Sequence, residues 1–234
     1  MATTRYHAMT ASEFTAADPL PQNIAWMACH FSPYEPGLTN LPPILPSGSV
    51  LILNDRIPFH SHDCNLIARQ LQNSVTELHP YGILLDFQSQ NNALAELSSH
   101  LVAVLPCPVA VPAEYAANLN CPVFLSPCPH HIPLQNYILP WAGREIWLDL
   151  ATDAESIILT EAGADCCPLA AFQENQDCHT DKALHSHYSI ANEDHAVRFT
   201  LWRTASDLDD LEKEAESLGI RTLVGLYREL RLSD

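Results

Sequence analysis

Between residues 49 and 126 short apolar runs alternate with stretches of helical period, and that alternation leaves few folds open. Residues 49–54 (SVLILN) and 81–87 (YGILLDF) are apolar at odd and even positions alike. Successive strand side chains point to opposite faces, so such strands are buried on both, as in a parallel sheet covered by helices. Between them Leu66, Ile67, Leu71, Val75 and Leu78 recur at helical spacing, with Asp63 placed to cap the helix and Pro80 to stop it. Asn91 or Asn92 opens a second helix with Leu94, Leu97, Leu101 and Leu105 along one side, ended by Pro106. Residues 108–111 and 122–126 read as two further strands around a turn of helix at 113–119. The pattern is β-α-β-α-β-(short α)-β, which right-handed crossovers wind into a parallel sheet.

The flanks extend it. Residues 24–31 (IAWMACHF) form a strand, followed by a loop over 32–48 in which Pro33, Pro36, Pro42, Pro43 and Pro46 forbid a helix. Residues 196–203 alternate as a strand. Ser206 then opens a helix with Asp207, Asp209 and Asp210 near its start and Leu208, Leu211, Ala215 and Leu218 inward, Gly219 ends it, and 222–226 is the last strand. Residues 145–151 and 156–161, around a short polar gap, predict an antiparallel hairpin, and the polar stretch 166–186 predicts a flexible loop. The expected fold is an irregular or incomplete (β/α)8 barrel of mostly parallel strands with an inserted antiparallel hairpin; an open doubly wound sheet is the alternative. The expected organisation is one domain over 1–234, with a weakly structured lead-in at 1–21 and an excursion over 144–190.

Charge and glycine content exclude several functions. A net charge of −17 opposes nucleic-acid binding and polybasic membrane anchoring, because both need a basic surface. The seven glycines form neither a G-x-G-x-x-G nor a G-x-x-x-x-G-K-[ST] phosphate loop. No run approaches the ~20 apolar residues of a membrane helix, and no secretory signal pattern opens the chain, so a cytoplasmic protein is expected. Eight cysteines occur without a C-x-x-C. Cys29, Cys64, Cys107, Cys121 and Cys128 lie in apolar or strand-like segments and read as small hydrophobes, whereas Cys166, Cys167 and Cys178 read as exposed. No metal and no cofactor is expected.

In a parallel barrel the chemistry sits at the carboxyl ends of the strands. There the sequence places Asp55 and Arg56, Asp86 and Gln88, Glu114, Ser126, Arg203, Tyr227 and Glu229. Carboxylates gathered at one mouth can do acid–base work; as readily, Asp55–Arg56 and Arg203–Glu229 are rim ion pairs. Asp86 stands apart, because a carboxylate set between Leu85 and Phe87 needs a partner or a purpose.

The segment Tyr81-Gly82-Ile83-Leu84-Leu85-Asp86-Phe87-Gln88 resembles the D-G-x-D-x-D-x-E strand of the glycoside hydrolase family 18 chitinases. Gly82 matches the glycine, and Asp86 matches the last aspartate, which in that family orients the substrate's N-acetyl group. The closing segment 219–230, with Gly225 and Tyr227, is similar to that family's barrel closure. Three positions depart: Tyr81 and Leu84 replace the first two aspartates, and Gln88 replaces the general-acid glutamate. A glutamine cannot protonate a glycosidic oxygen, so the resemblance implies a degenerate chitinase-like barrel whose substrate-assisted mechanism is disabled. With the strand-end residues, it gives an expected pocket in which Asp86 and Glu114 carry any remaining chemistry and Gln88, Asp55, Tyr227, Glu229 and Arg203 bind a glycan or other small molecule. Catalysis itself is left open.

Two rival readings come from the residues alone. His60-Ser61-His62, with His130-His131, Cys178-His179 and His185-x-His187, could supply a metal-dependent hydrolase, though the spacing converges on no ligand set, and His62 and Asp63 equally suit a helix start. A non-catalytic scaffold is the other, with the 145–161 hairpin joining copies of the chain. Trp26, Trp141, Trp147 and Trp202 can be read as a sugar-stacking platform or as core.

Overall fold

The computed structural model describes residues 3–59, 63–169, 178–193 and 195–230. In chain order the elements begin with β1 (Thr4–Met9), α1 (Ala11–Ala16), β2 (Ile24–Phe31), β3 (Leu38–Thr39), β4 (Val50–Asn54) and α2 (Cys64–Leu78). There follow β5 (Gly82–Asp86), α3 (Asn92–Val104), β6 (Val109–Pro112), α4 (Ala113–Ala116), β7 (Val123–Leu125), α5 (Leu134–Ile138) and β8 (Ile146–Leu150). Then come β9 (Ala154–Thr160), β10 (Gly163–Leu169), β11 (His179–Asp181), β12 (Ser186–Glu193), β13 (Ala196–Trp202), α6 (Ala205–Ser217), β14 (Thr222–Leu226) and α7 (Tyr227–Leu230). Where the sequence suggests one domain with an excursion over 144–190, the chain divides into two compact units: residues 1–126, 143–149 and 220–227, and residues 127–142, 150–219 and 228–234.

The first unit is a closed parallel barrel. Its sheet runs β1-β14-β8-β7-β6-β5-β4-β2-β3, and the pairing of β1 with β2 closes the ring through eight parallel strands, leaving β3 as a two-residue antiparallel edge on β2. That closure eliminates the open doubly wound sheet. Alternate residues fill the interior: Tyr6, Ala8, Ala25, Val50, Ile52, Leu84, Ala110, Phe124, Trp147 and Val224 form one buried cluster. A ring of eight strands has room only for interdigitated side chains. Gly82 shows the constraint: a Cβ there would lie 2.8 Å from the Pro108 carbonyl oxygen and 2.8 Å from the Trp147 ring.

The helices follow the sequence with small differences. α2 ends at His79 in a left-handed conformation (φ 50°), just before Pro80. Asp63 occupies its N-cap position but does not cap through its side chain. Asn91 caps α3, its side-chain oxygen accepting from the Ala93 N–H at 2.8 Å. The cap of α6 is Thr204 rather than Ser206, because Thr204 and Asp207 close a reciprocal capping box.

Three larger expectations are corrected. The lead-in is not weakly structured: residues 4–9 are the first barrel strand, and Thr10 and Glu13 form the capping box of α1. The 145–161 hairpin does not form, because β8 pairs in parallel with β7 inside the barrel while β9 pairs with β10 and β13. The self-association reading loses the hairpin it was built on, its residues being divided between β8 and β9. Residues 196–203 are not a barrel strand either; β13 lies in a five-stranded antiparallel sheet, order β10-β9-β13-β12-β11, which belongs to the second unit. Part of that sheet comes from the stretch 166–186 read as a loop, which holds residues 166–169 of β10, all of β11 and the first residue of β12.

Three of the four tryptophans are buried, and Trp141 is half-buried. Trp147 is fully buried in the barrel and stacks on Tyr81, with centroids 5.6 Å apart. Trp26 is buried with its indole N–H donating to the Asn40 carbonyl, and Trp202 is buried under His187. Cys29 and Cys128 are buried, the other three cysteines read as apolar are half-buried, and Cys166, Cys167 and Cys178 are exposed; all are free thiols.

Candidate functional site

Inward-facing positions at the carboxyl ends of the barrel strands meet at one mouth. On β5 the alternation that puts Gly82 and Leu84 in the interior brings Asp86 to the rim. On β4 the same alternation brings Asn54, whose amide donates to the Met27 and Cys29 carbonyls at 3.2 and 3.0 Å and holds the irregular end of β2.

Asp86 is half-buried, and its neighbours define its state. The Gln88 side-chain amide donates to its Oδ1 at 2.6 Å. Burial is the main influence and raises its pKa above the ordinary carboxylate value; the Gln88 bond opposes that, and the nearby Asp55 charge adds to it. Asp55 is itself buried, and its two carboxylate oxygens accept the Gln88 and Ser89 backbone N–H groups at 2.9 and 2.8 Å. It is therefore an anchor for the loop after β5. Tyr115 grips that loop from the other side, donating its hydroxyl to the Ser89 carbonyl and accepting from the Asn91 N–H at 3.0 Å.

Two cavities flank Asp86 and Gln88. One, of about 70 Å³, is lined by Asp86, Phe87, Gln88, Glu114, Tyr115 and Ser126 among others, and is large enough for a few waters. The other is a groove of about 820 Å³ over the ends of β1, β2, β4 and β5, lined by Thr10, Met27, His30, Asn54, Asp55, Arg56, Asp86 and Gln88 among others. Its size lies in the range of small-molecule sites, about 300–1,000 Å³.

The residues predicted for the site thus separate. Asp86, Gln88 and Glu114 share the small cavity, and Asp55 joins Asp86 and Gln88 along the groove. Tyr227 lines neither cavity and packs edge-on against His7 at 6.1 Å. Arg203 and Glu229 fall in the second unit, Arg203 after β13 of the antiparallel sheet and Glu229 in α7, which follows β14. Arg203 is buried there and donates to the carbonyls of Cys128, Pro129, Leu184 and His185, while Glu229 accepts the Thr152 N–H at 2.9 Å. Their expected ion pair is replaced by these backbone contacts.

The sequence also missed rim residues. His30, Thr10 and Asn54 line the groove. Asp149, two residues beyond Trp147 on β8, is half-buried and on the barrel-facing side by alternation. Assigning 145–151 to a hairpin hid it. His60 and His62, the core of the metal-hydrolase reading, lie outside the described residues.

A ring of eight parallel strands with carboxylates at their carboxyl ends is a (β/α)8 barrel with its polar groups at the end where such barrels place their sites. No family model matches the sequence, and no curated protein matches it either. Solved structures do. A plant class V chitinase mutant from Cycas revoluta, in complex with (GlcNAc)3, superposes with a TM-score of 0.58 at 10% identity, over 96% of this chain and 95% of that one. The spore cortex-lytic enzyme SleL of Bacillus cereus gives 0.56 at 9% identity, over 99% and 74%. A chitinase from Chromobacterium violaceum gives 0.52 at 11% identity, over 100% and 99%. The fold is that of the family 18 glycoside hydrolases, a (β/α)8 barrel carrying an inserted antiparallel sheet.

Proposed function

We propose that the barrel mouth binds a glycan bearing N-acetyl groups and holds it without cleaving it by the usual route. The observation that carries this reading is the pair Asp86–Gln88. A carboxylate whose ionisation burial opposes stands at the open end of the barrel, and the position that would deliver the proton is an amide bonded to it. Asp86 can accept a hydrogen bond from an acetamido N–H, while Gln88 has no proton to transfer to a glycosidic oxygen. The Cycas enzyme of the same fold is in complex with a GlcNAc trimer, which supports the choice of ligand. Glu114, an exposed residue, is the other carboxyl group lining the small cavity and the acid we assign to any turnover.

The test is calorimetric titration of the full chain with chitotetraose and with cellotetraose, which lacks the acetamido groups. Binding of chitotetraose at least tenfold tighter, lost in Asp86→Ala, is expected. Equal affinities, or affinity that survives Asp86→Ala, would overturn the reading. Hydrolysis abolished by Glu114→Gln would instead make the chain an enzyme with a displaced acid.

A further inference from the structure

The second unit carries a cluster that the barrel's function does not use. His131 precedes α5, Glu155 lies on β9 and Cys166 on β10, and one ligand atom from each lies within 4.8 Å of the others. His131 Nδ1 is 2.8 Å from Glu155 Oε1, and the Cys166 thiol donates to Glu155 Oε2 at 3.5 Å. Strand register explains the meeting. Ile157 is opposite Cys166 and Pro168 is opposite Glu155, so Glu155 and Cys166 share one face of the sheet as diagonal neighbours. Cys167 and Ser156 face the other way.

The histidine is delivered by a loop that is fastened at every step before it. Buried Arg203 donates to the carbonyls of Cys128 and Pro129, the Ser186 hydroxyl donates to the His130 carbonyl, and the His130 ring bonds Asp153 at 3.2 Å. These contacts fix the backbone that presents His131, as outer contacts fix the ligands of metal sites. Glu155 is placed deeper, its side chain only 13% exposed against 41% for His131, while Cys166 is exposed, so an ion has a way in.

We propose that His131, Glu155 and Cys166 form a zinc-binding site, with water in the fourth position. An imidazole nitrogen, a carboxylate oxygen and a thiolate sulfur are the donors zinc takes, and neither magnesium nor calcium favours that set. Zinc–ligand bonds of about 2.0–2.3 Å put tetrahedral donors about 3.3–3.8 Å apart, which side-chain rotation reaches from the observed distances. On binding, the thiol proton leaves to solvent and Glu155 exchanges its contacts to His131 and Cys166 for one to the metal.

The test is titration of the reduced full chain with Zn²⁺ alone, with Co²⁺ as spectroscopic reporter. One Zn²⁺ per chain is expected, with affinity falling at least tenfold in Cys166→Ser, in His131→Ala and in Glu155→Gln, which keeps the shape of the side chain. Cys167→Ser leaves it unchanged. Co²⁺ gives a thiolate charge-transfer band that Cys166→Ser abolishes. No Zn²⁺ uptake, or uptake and a thiolate band that persist in Cys166→Ser, would overturn the proposal.

Discussion

At Asp86 the fold keeps a carboxylate where burial opposes its ionisation, and that has a measurable consequence. Its native pKa is raised, so the protonated form is favoured by folding. The contribution to stability is fully present below the ordinary carboxylate pKa of about 4 and is lost as pH rises through the raised value. Asp86→Asn therefore raises the melting temperature at pH 7, and the gain disappears near pH 3; a gain independent of pH would contradict the assignment. Asp55 predicts the opposite. Asp55→Ala removes two charge-assisted bonds to loop N–H groups and costs roughly 2–4 kcal/mol in urea unfolding, whereas Asp55→Asn, which keeps one acceptor, costs about half. Asp86 was legible in the sequence because a charge inside an apolar run is conspicuous. The role of Asp55 was not, because its partners are backbone amides more than thirty residues away and carry no side-chain signal.

The elements of the barrel were legible where local pattern decides them and illegible where distant pairing does. The apolar runs at β4 and β5 and the leucine stripes of α2 and α3 announce themselves. β1 (TRYHAM) does not, since polar residues occupy half of it and only its pairing with β14 and β2 makes it a strand of the ring. β8 was recognised as a strand but given a sequence neighbour as its partner; it pairs instead with β14 and with β7, which ends at Leu125, 21 positions before β8 begins at Ile146, with α5 between them. The tightness of the ring also gives a prediction. Gly82→Ala forces a methyl against the Pro108 carbonyl and the Trp147 ring, so it destabilises the barrel by about 1–3 kcal/mol, read as a lower urea midpoint. An unchanged midpoint would mean that β5 and β6 are less closely apposed than the barrel requires.

At the scale of the whole molecule, the charge of −17 limits what the mouth can take. A neutral glycan meets no long-range repulsion, so chitotetraose affinity changes by less than about twofold between 50 and 500 mM salt, whereas a polyanion is disfavoured at low salt. The chain also holds an antiparallel sheet with its own hydrogen-bonded cluster; β10 and β11 escaped the sequence because they are short or polar and exposed, and β9 and β13 were seen as strands but given the wrong partners. Two sites are therefore proposed for one chain, a sugar site in the first unit and a metal site in the second. The central claim concerns the first, and a crystal structure of the chain with chitotetraose tests it most directly. The account predicts a sugar across the barrel mouth with an acetamido N–H on the Asp86 carboxylate and an intact glycosidic bond beside Gln88. A sugar bound away from the mouth, or one lying there without contact to Asp86, would contradict it.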